Sequence, residues 1–255
     1  MEITIEKLLE GKSTVIKENE YLTTKEYVSP FIEVMKKFTT DFSVQVQLPS
    51  QLTITDSKED ITYNRVWVQA LLKDNSYGYT ETINLVYALD VRKPIYKIFK
   101  AYKDRKTGNL FAFNSQWINV YELKPNEEFV DFEPIVKHLL ELTDDSDRRF
   151  DNLEKNTVSS ETEERQQFLG ELIENSMLFE ITNKGGKVKI APQMVLKAYQ
   201  NVYMDSSSRN YVAAEECTKL NYLDAFSSLI TEDDKDIVNR FEKNLLVYQM
   251  FTENQ

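Results

Sequence analysis

Cysteine is all but missing: Cys217 is the only one in 255 residues. The chain therefore forms no internal disulfide and no cysteine-based zinc site. Histidine is equally scarce, with His138 alone. That removes every metal motif built on two histidines and leaves at most one histidine general base. His138 sits beside Leu139 and Leu140 in a helical pattern, and it reads as a surface or half-buried helix residue.

Glycine and proline number six each, too few for a loop-rich sandwich, so long regular elements are expected. No glycine-rich phosphate loop or dinucleotide fingerprint is present. The pair Gly185-Gly186, between Lys184 and Lys187, is accounted for by a hairpin turn. No apolar run approaches the roughly 18 to 20 residues that a membrane span needs. Met1 to Gly11 read as an ordinary amphipathic opening rather than a secretory leader, and the expected location is the cytoplasm, with no membrane partner. No repeat of 20 to 50 residues is visible.

What is there is enough apolar and aromatic material, 41% and 12%, to build a real core. The formal net charge is −11, which repels nucleic acid at long range. It serves solubility, or it mimics DNA toward a basic partner.

Three blocks follow one another. In the first, Ser29-Pro30 reads as a helix start, with Phe31, Val34, Met35 and Phe38 as its core stripe. The second, about Phe42 to Leu123, is β-rich. Val44, Val46 and Leu48 alternate with Ser43, Gln45 and Gln47, and Leu52 to Thr55 continue as a short strand. Val66 to Leu72 and Ile83 to Val91 are buried strands by length and composition. Asp74 to Gly78 and Asp104 to Gly108 are turns. Residues 95–102 fit a helix stripe or a strand pairing with Leu110 to Phe113, and the strand is the preferred reading; Trp117 to Leu123 close the block.

The third block is mostly helical. Ile135, Leu139, Leu140 and Leu142 make one stripe. Ser160 to Glu163 is a capping-box pattern followed by Phe168, Leu169, Leu172 and Ile173. A hairpin is expected from Leu178 to Thr182 and Val188 to Ile190. Pro192 opens a helix with Val195, Tyr199 and Val202 inward. Leu223, Phe226, Leu229 and Ile230 form another stripe. Thr231 to Asp234 read as an acid-rich helix start suited to the dipole, leading into Ile237, Phe241, Leu245 and Tyr248. The charged stretch from Asp144 to Glu164 reads as a linker or as a solvated helix with a loop. The expected fold class is α+β, with an antiparallel sheet in the N-terminal half and helices in the C-terminal half. The preferred division is 1–125 and 126–255, with one continuous domain as the alternative.

No catalytic, cofactor or metal site can be assigned. Asp144, Asp145, Asp147 and Asp151 are the densest carboxylate group, but no central glycine is present and Lys155 stands where a calcium loop needs its closing Glu. Ser206 to Asn210 form a polar loop with no pattern of an activated serine.

Charge polarity is the most informative feature. Between Arg92 and Lys106 there are seven bases (Arg92, Lys93, Lys97, Lys100, Lys103, Arg105 and Lys106) and one acid, with Tyr96, Phe99 and Tyr102 interleaved. Such a segment suits a phosphate backbone with stacked bases, or an ordinary amphipathic strand with lysines on its wet side. From Glu122 to Glu164, fourteen acids face five bases. Asp144, Asp145, Asp147, Asp151, Glu161, Glu163 and Glu164 are the candidate acidic interaction surface.

Three places resemble an uncharacterised domain-of-unknown-function family from phage and plasmid genomes. They are Asn64-Arg65-Val66-Trp67-Val68-Gln69-Ala70, the segment from Arg92 to Trp117, and Tyr222-Leu223-Asp224-Ala225-Phe226-Ser227. In the middle one, Ala112-Phe113-Asn114-Ser115 keeps only the Asn of the family's turn. The resemblance implies a phage-like origin, hence the host cytoplasm, and a mixed fold, with no activity to carry over.

The functional expectation is a non-enzymatic phage or mobile-element accessory protein. It binds a host or phage macromolecule, with an inhibitory, anti-defence role through the acidic surface. The alternative is a single-strand nucleic-acid binder using residues 92–106. A metal-assisted hydrolase ranks last. No cofactor is expected, a protein partner is, and self-association stays open.

Overall fold

The computed structural model describes residues 4–9, 14–16, 19–21, 24–47, 65–88, 95–113, 119–122, 131–141, 145–158, 162–183, 186–203, 217–234 and 237–252. The chain is α+β, with an antiparallel sheet from the N-terminal half and helices dominating the C-terminal half. It divides into two compact units that alternate along the sequence. The first takes Met1–Asp74, Thr80–Ala101 and Gln116–Thr143; the second takes Asn75–Tyr79, Tyr102–Ser115 and Asp144–Gln255.

The first unit opens with α1 (Ile5–Leu9), the hairpin β1 (Thr14–Ile16) and β2 (Asn19–Tyr21), and α2 (Thr24–Met35). Helix α2 starts six residues before the Ser29-Pro30 expected to begin it. Pro30 lies inside the helix, where it contributes no N–H to the ladder. Val28, Phe31, Ile32 and Met35 are buried, whereas Phe38, beyond the helix end, is 52% exposed. Helix α3 (Phe132–Glu141) packs against α2. Phe31 meets Phe132 edge-on at 5.8 Å, and Lys37 bonds Glu133 at 2.8 Å. The buried stripe of α3 is Phe132, Val136 and Leu139; of the expected stripe Leu139 is buried, Ile135 and Leu140 are half-buried, and Leu142 lies outside the described residues.

Strands β3 (Phe42–Gln47), β4 (Arg65–Asp74), β5 (Tyr79–Ala88), β6 (Ile95–Asp104) and β7 (Leu110–Phe111) are neighbours in that order, and β8 (Asn119–Glu122) also pairs with β6. Residues 95–102 are thus strand. Register follows the period-two alternation. Val44 pairs Val68 and Val46 pairs Val66; those residues in turn face Leu85 and Tyr87. One face of the sheet is therefore apolar. The other carries Ser43, Gln69 and Asn84 in one cross-strand row, and Gln45, Trp67 and Val86 in the next.

The second unit contains α4 (Ser146–Lys155), β9 (Thr157–Val158), α5 (Thr162–Leu178), β10 (Ile181–Asn183), β11 (Gly186–Val188), α6 (Pro192–Tyr203), β12 (Cys217–Thr218), α7 (Lys219–Asp233) and α8 (Ile237–Thr252). Its core gathers on Phe150 of α4, with Tyr79 at 4.7 Å, Phe113 at 4.8 Å, Tyr102 at 5.3 Å and Tyr77 at 5.5 Å. Each such pair contributes about 0.5–1.5 kcal/mol beyond the area it buries. The stretch expected to be a linker or a solvated helix thus holds a helix whose Phe150 and Leu153 are core.

Two further expectations shift. Helix α5 runs on to Leu178, so the hairpin starts at Ile181. The acid run Thr231–Asp233 ends α7 instead of starting a helix. That end is unfavourable for acids, and Lys243 answers it by pairing with Asp234 at 3.0 Å. The start of α7 is fixed by a capping box: Asn221 N–H donates to Thr218 Oγ1 at 3.3 Å, and Thr218 N–H donates to Asn221 Oδ1 at 2.9 Å. The expected strand Leu52 to Thr55, the loop Ser206 to Asn210 and the cap residues Ser160 and Glu161 lie outside the described residues.

Candidate functional site

The basic-aromatic segment is the first sequence candidate. Arg92 and Lys93 lie outside the described residues, as does the side chain of Tyr96. Within β6, side chains alternate between faces, so Lys97, Phe99 and Lys103 share one face while Lys100 and Tyr102 take the other. Lys97 is only 8% exposed and Lys100 1%, and Phe99 and Tyr102 are buried. Lys100 Nζ bonds Glu81 Oε1 at 2.6 Å. Of the segment's described residues, the rings of Phe99 and Tyr102 are core and Lys97 and Lys100 are inside, so these four do not line a cationic and aromatic surface. Among its described residues the exposed cations are Arg105 and Lys106, in the turn after β6, with Lys103 half-buried.

Gln69, Thr82 and Asn84 are all buried, in keeping for Gln69 and Asn84 with the reading of Val66 to Leu72 and Ile83 to Val91 as buried strands. They form a directed ladder. Trp67 Nε1 and Gln69 Nε2 each donate to Asn84 Oδ1 at 3.0 Å. Asn84 Nδ2 donates to Thr82 Oγ1 at 2.9 Å, and Thr82 Oγ1 donates to the Ala101 carbonyl at 3.0 Å. Gln69 Oε1, at the head, is buried and accepts no hydrogen bond among the described residues.

The acidic candidates divide by position. Asp144 and Glu161 lie outside the described residues. Asp145 and Asp147 are exposed at the start of α4, and Glu163 and Glu164 are exposed in the first turn of α5. Acids at these positions complement the helix dipole. Asp151 bonds Lys155 one turn on and accepts the Tyr77 hydroxyl at 3.1 Å. The Lys155 bond, aided by Tyr77, holds the Asp151 carboxyl below its ordinary range. Lys155, which stands where a calcium loop needs its closing Glu, pairs with Asp151. Among the described residues no group of three or more His, Cys, Asp or Glu side chains is placed to hold a metal, and no helix is long and apolar enough to cross a membrane. His138 is exposed on α3, and Cys217 is buried in β12.

Charge patterning did not point to the cluster in the second unit around Asp224. This residue interrupts the apolar stripe of α7 between the buried Leu223 and Phe226. Its carboxylate accepts the hydroxyl of the buried Tyr79. Burial, then the nearby charge of Asp104, raises the Asp224 carboxyl to about 6 against the pull of Tyr79 and Lys106. Burial and the Asp224 charge likewise push the Tyr79 phenol upward. The available signal was an acid standing at a core position of a helix.

Large apolar side chains also reach the surface of the second unit. Met177 is 57% exposed and Leu178 73% on α5, and Leu196 is 42% exposed on α6, which packs against α5. Comparison with protein-family models, curated proteins and solved structures finds no match to this chain.

Proposed function

We propose that this is a non-enzymatic accessory protein of a phage or mobile element, acting by binding another protein through its helical C-terminal unit. The observation that carries this is the exposure of Met177, Leu178 and Leu196 on two packed helices, where exposed Glu171, Glu174, Glu163 and Glu164 also lie. Apolar anchors with a charged rim are the composition of a protein-binding surface. The acids select a partner with a basic rim, in keeping with an inhibitory role against a host factor. The resemblance at Asn64 to Ala70 and Tyr222 to Ser227 supports the phage setting.

Burial of Phe99, Lys100 and Tyr102 disfavours base stacking on residues 92–106, so the protein-binding reading is preferred to the nucleic-acid one. The test is capture from host lysate with the tagged full chain and with Met177→Glu/Leu196→Glu. One stoichiometric protein retained by the parent and lost by the variant is the expected result. No stoichiometric partner, or equal retention by both, defeats the proposal.

A further inference from the structure

Among the described residues the sheet of the first unit ends at β3, whose strand neighbour is β4. The ladder between them fixes which backbone groups of β3 face outward. Leu71 N–H donates to the Asp41 carbonyl at 2.9 Å. The antiparallel register carries this bonded pairing on to Ser43 with Gln69 and Gln45 with Trp67. The intervening Phe42 and Val44 therefore turn their N–H and C=O groups away from β4. Among the described residues no hydrogen bond meets those groups. A strand edge is ordinarily blunted by lysine, proline, a bulge or an inward charge. The run Phe42-Ser43-Val44-Gln45-Val46-Gln47 holds no charge and no proline, and it pairs with β4 without a bulge. Phe42 is half-buried, and Phe38, just ahead of the strand, is exposed.

We infer that this edge pairs antiparallel with the same edge of a second copy of the chain, about a two-fold axis at Ser43. The open groups dictate the register. Phe42 lies opposite Val44 of the second copy, and Val44 opposite its Phe42. Each such pair exchanges both of its backbone bonds, so every open group of Phe42 and Val44 is matched. Val46, already engaged, takes no part.

The side chains agree with this placement. Phe42 and Val44 stand on the face that carries Val68 and Leu85, so the paired edges continue that apolar face across the axis, with Phe42 beside Val44 of the other copy. On the opposite face Ser43 meets Ser43, a hydroxyl pair able to bond across strands. Charge does not oppose the contact, although the whole chain carries −11. The strand itself is neutral. Asp41, next to it, falls opposite Gln45 of the second copy, so the two Asp41 residues are about 14 Å apart by strand spacing. That exceeds the screening length of about 8 Å in physiological salt. The contact is small, so dimerisation is expected to be weak, with a Kd of roughly 10–100 μM.

The test is sedimentation velocity of the full chain at concentrations on both sides of that value, where the parent should pass from monomer to dimer. Ser43→Lys and Ser43→Glu each set like charges face to face and should raise the Kd at least about tenfold. An equimolar mixture of these two variants should dimerise again, because unlike charges then meet at the axis. The mixture gains association, which misfolding cannot imitate. Val44→Pro removes an outward donor without touching the β4 ladder and should abolish the dimer. Met177→Glu/Leu196→Glu, on the helical unit, should dimerise as the parent does. A parent that stays monomeric, an unchanged Kd in Ser43→Lys or Val44→Pro, a mixture no tighter than its components, or a dimer lost in Met177→Glu/Leu196→Glu each overturns the pairing.

Discussion

Lys100 and Glu81 form an ion pair at 2.6 Å in which the lysine side chain is almost wholly inside, at 1% exposure, while the carboxylate keeps 18%. The lysine does not serve as a surface cation. Taking an ammonium out of water costs several kcal/mol unless an anion is at hand. Removing Glu81 therefore weighs more than its partly exposed position suggests. Glu81→Ala is expected to destabilise by about 3 kcal/mol, and the double variant Glu81→Leu/Lys100→Met to recover most of that loss. Urea denaturation of the single and double variants checks this. A loss below about 0.5 kcal/mol in Glu81→Ala would mark the pair as an ordinary surface contact.

How far this was legible follows from alternation. The strands were plain in the sequence because Val44, Val46, Val66 and Val68 repeat with period two. Strand parity also carried a warning about residues 92–106. Lys97 and Lys100 are three apart, as are Phe99 and Tyr102, so a strand sends each pair to opposite faces. A single face on which all the cations meet all the rings is incompatible with a strand. Length and composition marked Val66 to Leu72 and Ile83 to Val91 as buried strands, and Gln69 and Asn84 are buried within them. Which partner each buried amide finds depends on the neighbouring strands, which a local pattern does not encode. Likewise, the acids Glu232 and Asp233 followed a helix-start rule, yet α7 extends through them because Leu229 and Ile230 keep packing inward.

The amide ladder separates residues that are satisfied from one that is not. Asn84 accepts from Trp67 and Gln69 and donates to Thr82. Asn84→Leu strands two buried donors, at about 1–3 kcal/mol each. Gln69 makes one bond through Nε2 and buries an oxygen with no donor among the described residues. Gln69→Met removes that oxygen at a similar volume, so its cost is expected to stay under about 1 kcal/mol. Thermal and urea unfolding of both variants should separate them clearly. Equal losses would show that the ladder acts as one unit.

Asp224 sets a pH dependence whose sign is opposite to that of an ordinary paired carboxylate. Its carboxyl is raised to about 6 in the folded chain from an ordinary 3.8. The folded state thus binds the proton more tightly than the unfolded one. The resulting stability is full below about pH 4 and is lost as pH rises through 6. Asp224→Asn should therefore match the parent near pH 4 and exceed it at pH 7.5 by roughly 1–3 kcal/mol. Asp151 works the other way. Its lowered carboxyl contributes stability at neutral pH that is lost on acidification. Chemical denaturation at both pH values decides the Asp224 prediction, and a parent as stable as Asp224→Asn at pH 7.5 would refute it.

The exposed acids of α5 have two roles that a single substitution would mix. Glu163 and Glu164 occupy the first turn, where they favour the helix as well as any basic partner. Glu171 and Glu174 lie further along the same helix and are exposed without that advantage. Reversing the first pair, Glu163→Lys/Glu164→Lys, should cost about 0.3–1 kcal/mol of stability per residue through the dipole. Reversing the second pair, Glu171→Lys/Glu174→Lys, carries no such dipole cost. If these acids form the rim of a partner surface, partner association should slow in both double variants, and more so at low salt, because rim charges act mainly on the on-rate. Stopped-flow association at two ionic strengths, read beside denaturation of the same variants, separates the roles. Slowing confined to the pair that loses stability would assign the acids to the helix alone.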